Sequence, residues 1–529
     1  MSDHARLFSI FPMTADNKIP AISLALRGCF LVKASPQKTD TDTRNYDLGP
    51  KTSVFESACV TRPGMFESPI VVLQLLNRNL TNLPMSRRRA ISLRCGQLCA
   101  SATLLFVVSM LVATAGVYGQ DAVRPSLAGQ QASDARQEDV SRIPYNLLLG
   151  PVRFRVGASV SAEYNDNVNY AETNTQDDFI ITPNLSLDAI WPITQLNTLR
   201  LDLGIGYSFY LDHSQYNTDS ILIVPKSQIA FDIFVSDFRI NIHDRMQLQQ
   251  DPIQEGALSN VLDYGRFENT AGISVLWDLN KLLFQVGYDH YNFVSTTTAF
   301  DYLNHNSEIV SGSAAFIVTP TITVGAEGNA VFTRYDQSVL NDNEDYSVGG
   351  FIETEITNNL KVRAAGGYQW IDFDHNFVTF PFGPFVFVVP DHKNLEDYYV
   401  NGLIGHRINA TISQTLSAGH ENQLGINSNY ITLNYVRHTL SWNLIRNTLL
   451  STEFFFEDAK ESGGFAGFAS GQLGTPEHFQ RIGGAITVGY QLTPHVTLGA
   501  RYQGTSKDSN LLLRDYNQNR ISVDGTYSF

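Results

Sequence analysis

Ile521-Ser-Val-Asp-Gly-Thr-Tyr-Ser-Phe529, the last nine residues of the chain, alternate apolar and polar and stop on a phenylalanine. Side chains on a strand point to opposite faces with a period of two. Ile521, Val523, Gly525, Tyr527 and Phe529 therefore share one face, and Ser522, Asp524, Thr526 and Ser528 share the other. A strand with one greasy and one wet side that ends on an aromatic suits the closing strand of a transmembrane β-barrel, which meets lipid outside and water inside.

The same alternation runs back to Pro151. Val152, Phe154, Val156, Ala158 and Val160 oppose Arg153, Arg155, Ser159 and Ser161, and Leu199, Leu201 and Leu203 oppose Arg200 and Asp202. Val362, Ala364, Tyr368 and Trp370 oppose Lys361, Arg363 and Gln369, while Ile482, Ile486 and Val488 oppose Arg481 and Thr487. These segments reach ~10 residues or more, enough to cross a bilayer when tilted. Short connections near 192–197, 236–237, 280, 319–321, 357–359, 409, 447 and 493–494 alternate with long ones near 165–178, 210–220, 249–264, 293–306, 335–345, 373–396, 420–430, 458–477 and 505–515. Eight turns and nine loops make an all-β, antiparallel up-and-down barrel of about eighteen strands with both ends periplasmic; one hairpin more or fewer would give twenty or sixteen. Trp191, Trp277, Trp442 and Tyr490 fall near turns, and Tyr164, Tyr288, Tyr368, Trp370 and Tyr502 near loops, as two aromatic girdles would.

Composition agrees. The 529 residues are 43% hydrophobic with 11% aromatics but only 17% charged residues, and mean hydropathy is -0.11, too polar for a helical membrane protein. All four cysteines (Cys29, Cys59, Cys95, Cys99) precede residue 100, so the body holds no disulfide framework or cysteine metal site. The run Ala102-Thr-Leu-Leu-Phe-Val-Val-Ser-Met-Leu-Val-Ala-Thr-Ala115 follows Met85-Ser-Arg-Arg-Arg-Ala90 and precedes small residues at 116–119. A basic stretch, a short apolar run and small residues describe a secretory signal peptide over 85–119. Residues 1–84 then read as an upstream extension, with Met85 as initiator, or as a disordered segment, with a cytoplasmic domain ahead of an internal anchor as the other alternative; 120–150 read as a periplasmic lead-in, and 151–529 as the barrel. Of 37 Lys+Arg and 52 Asp+Glu, 13 and 7 lie in residues 1–119, leaving 24 against 45 and a net −21. Such an acidic exported body is a poor nucleic-acid binder.

Glu163-Tyr-Asn-Asp-Asn-Val168, followed by Asp177-Asp-Phe-Ile-Ile-Thr-Pro-Asn-Leu-Ser-Leu187, resembles the start of the β-barrel porin 2 family of outer-membrane proteins. The resemblance implies a barrel over 151–529, a Gram-negative outer membrane and a link to exopolysaccharide export. With no long periplasmic scaffold of its own, the chain would then need a separate periplasmic polysaccharide-export partner. Its other expected partners are outer-membrane lipid and the barrel assembly machinery, with Phe529 as the assembly signal.

The expected function is a passive pore for polysaccharide or small solutes; a non-conducting surface barrel presenting its loops for binding or adhesion is the alternative. Pore-lining candidates are Arg153, Arg155, Arg200, Asp202, Arg239, Arg245, Glu268, Glu353, Glu355, Arg363, Arg437, Arg481 and Arg501. They either pair with one another around the wall or set up a field that selects solutes. Phe380, Phe382, Phe385 and Phe387 crowd one strongly apolar loop that either folds inward, stacks on sugar rings, packs on the rim or extends a hairpin. Ser462–Gly471, rich in glycine, reads as a mobile loop. Asn341-Asp-Asn-Glu-Asp345 offers oxygen ligands without the spacing of a dedicated calcium loop. No catalytic signature of a hydrolase, metalloprotease, P-loop or dinucleotide site occurs, so neither an enzyme nor a cofactor is expected.

Overall fold

The computed structural model describes residues 145–218 and 220–529; the expected upstream extension and signal peptide, and most of the lead-in, lie outside these residues. Eighteen strands make the wall. They are β1 (Val152–Asn165), β2 (Asp178–Pro192), β3 (Asn197–Gly206), β4 (Leu222–Val235), β5 (Phe238–Gln249), β6 (Arg266–Asp278), β7 (Leu282–Ser295), β8 (His305–Thr319) and β9 (Ile322–Tyr335). The second half comprises β10 (Asn343–Thr357), β11 (Leu360–Phe373), β12 (Asn394–Arg407), β13 (Ile412–Leu424), β14 (Tyr430–Ile445), β15 (Thr448–Glu461), β16 (His478–Thr493), β17 (Val496–Ser509) and β18 (Tyr516–Ser528).

Each strand pairs antiparallel with its neighbours in sequence, and β18 pairs with β1 from Gly157↔Ser528 to Asn165↔Arg520. That last ladder closes the sheet and removes its edges, so every strand has a partner on both sides. Phe529 adds one more bond, its N–H donating to Val156 O at 3.2 Å. The lead-in is not wholly irregular: Leu147–Leu149 turns back at Gly150 and pairs with Val152–Phe154.

Directly paired residues share a face, so the register sorts the wall. Val160, Leu185, Val286, Val348 and Ile486 stand exposed on one face, as do Trp191, Trp277, Trp442 and Tyr490 near the turns and Tyr368 and Trp370 near the loops. Large apolar groups held open in this way face lipid; the opposite face, rich in charge and amide, turns inward. Tyr288 and Tyr502 depart from the girdle expectation, sitting midway along β7 and β17. The turns are tight, with Ser236, Asn280 and Asn447 taking positive φ (52, 67 and 66°). A closed antiparallel barrel with this apolar belt places the protein in the bacterial outer membrane.

Candidate functional site

All thirteen charged candidates project from the inward face, as the pairing of Arg155 with Asp188, Glu353 with Arg363 and Glu457 with Arg481 illustrates. Most meet a partner there. Asp232 accepts from Arg200 (2.7 Å) and Arg239 (3.2 Å). Arg363 pairs with Glu327 (2.9 Å), Arg501 with Glu453 (2.7 Å), Glu268 with Arg266 (3.0 Å), and Glu355 with Lys361. Arg437 and Arg481 clasp the two oxygens of Glu457 at 3.1 and 2.6 Å. Asp202 accepts from Gln228 at 2.9 Å, and Arg153 lies over the Tyr145 ring. Arg155, Arg245 and Glu353 hold no hydrogen bond or ion pair among the described residues; Arg155 and Glu353 sit in the periplasmic half of the wall, and Arg245 sits in the extracellular half.

The main feature of the interior comes from a loop. Residues 250–265, between β5 and β6, cross the barrel and attach to β14–β18 on the far side. Arg481 donates to Ile253 O at 2.7 Å, Arg514 to Ala257 O, and Lys507 Nζ to Ser259 Oγ at 3.1 Å. Asn260 Nδ2 donates to Leu513 O at 2.6 Å, and Ala257 packs among Ile431, Leu433, Ala459 and Phe479. At the root of this strap, Asp251 accepts from Tyr170 Oη (2.6 Å), Arg520 (2.7 Å) and Ile253 N (2.9 Å). Burial alone would raise the Asp251 carboxyl, but Arg520 and the Tyr170 hydroxyl outweigh it and hold it below the usual carboxylate range.

Above the strap the extracellular loops converge. Leu258, Phe300, Leu303, Val339, Leu340, Val378, Val389, Ile426 and Phe465 form one apolar core. They come from six loops spaced around the rim from β5 to β16, which can share a core only by meeting over the opening. The phenylalanine-rich loop supplies a hairpin, Phe377–Phe382 against Phe385–Pro390, whose base is buried at Val378 and Val389 (1% exposed each). Phe380 packs on Phe465 (5.0 Å) and Phe468 (4.3 Å), and Phe382 and Phe387 also reach Phe468. Phe382 (56% exposed) and Phe385 (65%) form an open tip, so the loop packs at its base and extends at its end.

The glycine-rich segment is thereby pinned, contrary to the mobile loop expected. Gly464 has φ 86°, and a Cβ there would meet Asn427 O at 2.0 Å. Asn341 likewise serves the cap, donating to Phe377 O (2.7 Å) and Asn429 Oδ1 (2.9 Å).

Sequence reasoning missed Asp251, Ala257, Ser259 and the whole strap. The clue was available: Ile253, Ala257, Leu258, Val261 and Leu262 are more apolar residues than a loop splayed into water would carry. His243, on the inward face of β5, has its ring nitrogens taken by Asn241 (2.8 Å) and Asp289 (2.7 Å).

No family model and no curated protein matches the chain. Among solved structures, the chain is similar to Pseudomonas aeruginosa OpdK with vanillate, at 11% identity and TM-score 0.39, covering 71% of this chain and 99% of that one. Pseudomonas aeruginosa OccK2 (OpdF) in complex with glucuronate is similar at 9% identity and TM-score 0.40, covering 73% and 100%. The barrel assignment rests on the chain's own strand pairing.

Proposed function

We propose that the protein is a passive outer-membrane channel for small polar solutes, with the 250–265 strap as its constriction. The observation that carries this reading is the strap itself. A closed eighteen-strand wall with a polar inner face is wide enough for water, and one loop is drawn across it and tied to the opposite side. Solutes would pass beside the strap, against a wall that offers the open charges of Arg245 in its extracellular half and of Arg155 and Glu353 in its periplasmic half.

Polysaccharide, the cargo implied by the porin 2 resemblance, fits less well. A polymer must occupy the full length of the pore at once, with both strap and cap displaced. The cap and its exposed Phe382–Phe385 tip favour a second reading, a barrel that presents loops and does not conduct. Swelling of proteoliposomes in sugars of graded size separates the three. Our reading expects uptake of mono- and disaccharides with a sharp size limit, raised by removing residues 252–263. No uptake by either protein, once folding is verified, supports the loop-presenting reading, and uptake of long oligomers by the intact protein supports polymer passage.

A further inference from the structure

Glu461 is the last residue of β15, a 14-residue strand where ~9–11 residues cross a bilayer, so it stands above the hydrocarbon. It is 1% exposed. One of its oxygens accepts from Asn427 Nδ2 at 3.3 Å, and the other, Oε2, meets no donor among the described residues. Asn427 also donates to Ala257 O in the strap. Facing Glu461 are Glu477 at the end of the glycine-rich loop, Lys507 on β17, Arg514 on the β17–β18 loop and Tyr302 on the β7–β8 loop. Glu477 is itself held by Lys507 Nζ (2.9 Å), Arg514 (2.8 Å) and Ser509 Oγ (2.7 Å). The strap and four loops thus meet around one carboxyl group with an unmatched oxygen.

We propose that Glu461 is a proton-operated latch for the cap, closed when the carboxyl is protonated and released when it ionises. The proposal rests on the channel reading above. A neutral carboxyl can stay in this dry junction; an ionised one brings a second negative charge beside Glu477 and an oxygen with no donor, which only entering water can satisfy. Burial first, and then the Glu477 charge, push the Glu461 carboxyl up to about 8. The closed cap therefore binds the proton more tightly than an open one. Closure is fully supported below the ordinary glutamate range and weakens as pH rises toward the closed-state value. Glu477 does not oppose this, because Lys507 and Arg514 overcome its burial and keep it ionised.

Planar-bilayer recordings and protease digestion of the 462–477 loop, each at pH 5 and pH 7, test the latch on wild type and Glu461→Gln. Wild type should show an open-to-closed ratio that rises by at most about tenfold per pH unit, and faster cleavage at pH 7. Glu461→Gln, neutral at every pH, should stay closed, protected and flat. A slope that survives in Glu461→Gln overturns the proposal. Cleavage of wild type that is unchanged between pH 5 and 7 also overturns it, whether or not the variant folds. Absence of conductance from both proteins and from a strap deletion refutes the channel reading instead, while the cleavage profile still decides the latch.

Discussion

Replacing Glu477 by glutamine keeps the side-chain shape and removes the charge at the centre of the cap. Glu477 and Lys507 are both 0% exposed, and Glu477 Oε1 lies 2.9 Å from Lys507 Nζ while Oε2 lies 2.8 Å from Arg514. Removing one member of a buried pair costs about 3–5 kcal/mol, because its partner stays buried without compensation. Glu461 faces the same two cations and would take up part of their charge, so the lower end, about 3 kcal/mol, applies. At about 1.4 kcal/mol per factor of ten, the closed cap would lose roughly two orders of magnitude against its open forms. The wall should not share the loss, since the β15–β16 and β16–β17 ladders consist of backbone bonds that this side chain does not make. The expected result is rapid proteolysis within 250–265 and 462–477, with unchanged heat-modifiable gel migration of the barrel. Cleavage at the wild-type rate would show that the cap does not depend on the Glu477 charge. Adding Glu461→Gln should cost more than the sum of the two single changes if Glu461 is the fallback partner.

Ile486→Arg places a charge midway along the lipid face of β16 and should cost about 2–4 kcal/mol in barrel stability, whereas Thr487→Arg on the inward face should cost little; urea titration in detergent or lipid reads both. Asp251 has a depressed carboxyl value, so its support for the strap root is complete above the ordinary range, about pH 4, and is lost as pH falls through the folded-state value. Strap cleavage should therefore rise in acid for wild type and be high at all pH values for Asp251→Ala, and an acid-insensitive wild type would contradict this. We further propose that Phe529 is read by the assembly machinery. Its deletion should lower the amount of folded barrel in cells while leaving the conductance of refolded protein unchanged, and normal insertion in cells would argue against that role.

The strand count and the inward face were legible because both follow from local rules. Alternation with a period of two needs no knowledge of neighbours, and Ser236-Asp237, Asn280 and Asn447 are residues suited to tight turns. Ring closure followed as well, since β18 has no other way to bury its backbone in lipid. Partnerships were not legible. Glu457 meets Arg437 and Arg481 through register, which the pattern of a single strand does not reveal. The strap was hidden for a further reason: its anchors, Arg481, Lys507 and Leu513, lie more than 200 residues away in sequence. The strongly apolar character of the Phe380 loop was legible, but its partners, Phe465 and Phe468, lie in a stretch whose glycines suggest motion. Those glycines instead permit close approach, as Gly464 does against Asn427.

If residues 250–265 narrow a conducting barrel, single-channel conductance of the intact protein and of a variant lacking residues 252–263 will reveal that narrowing. Small, discrete steps are expected from the intact protein and steps several-fold larger from the deletion, with the same heat-modifiable barrel in both. Equal conductance in the two, or no steps from either folded protein, would contradict a channel narrowed in this way.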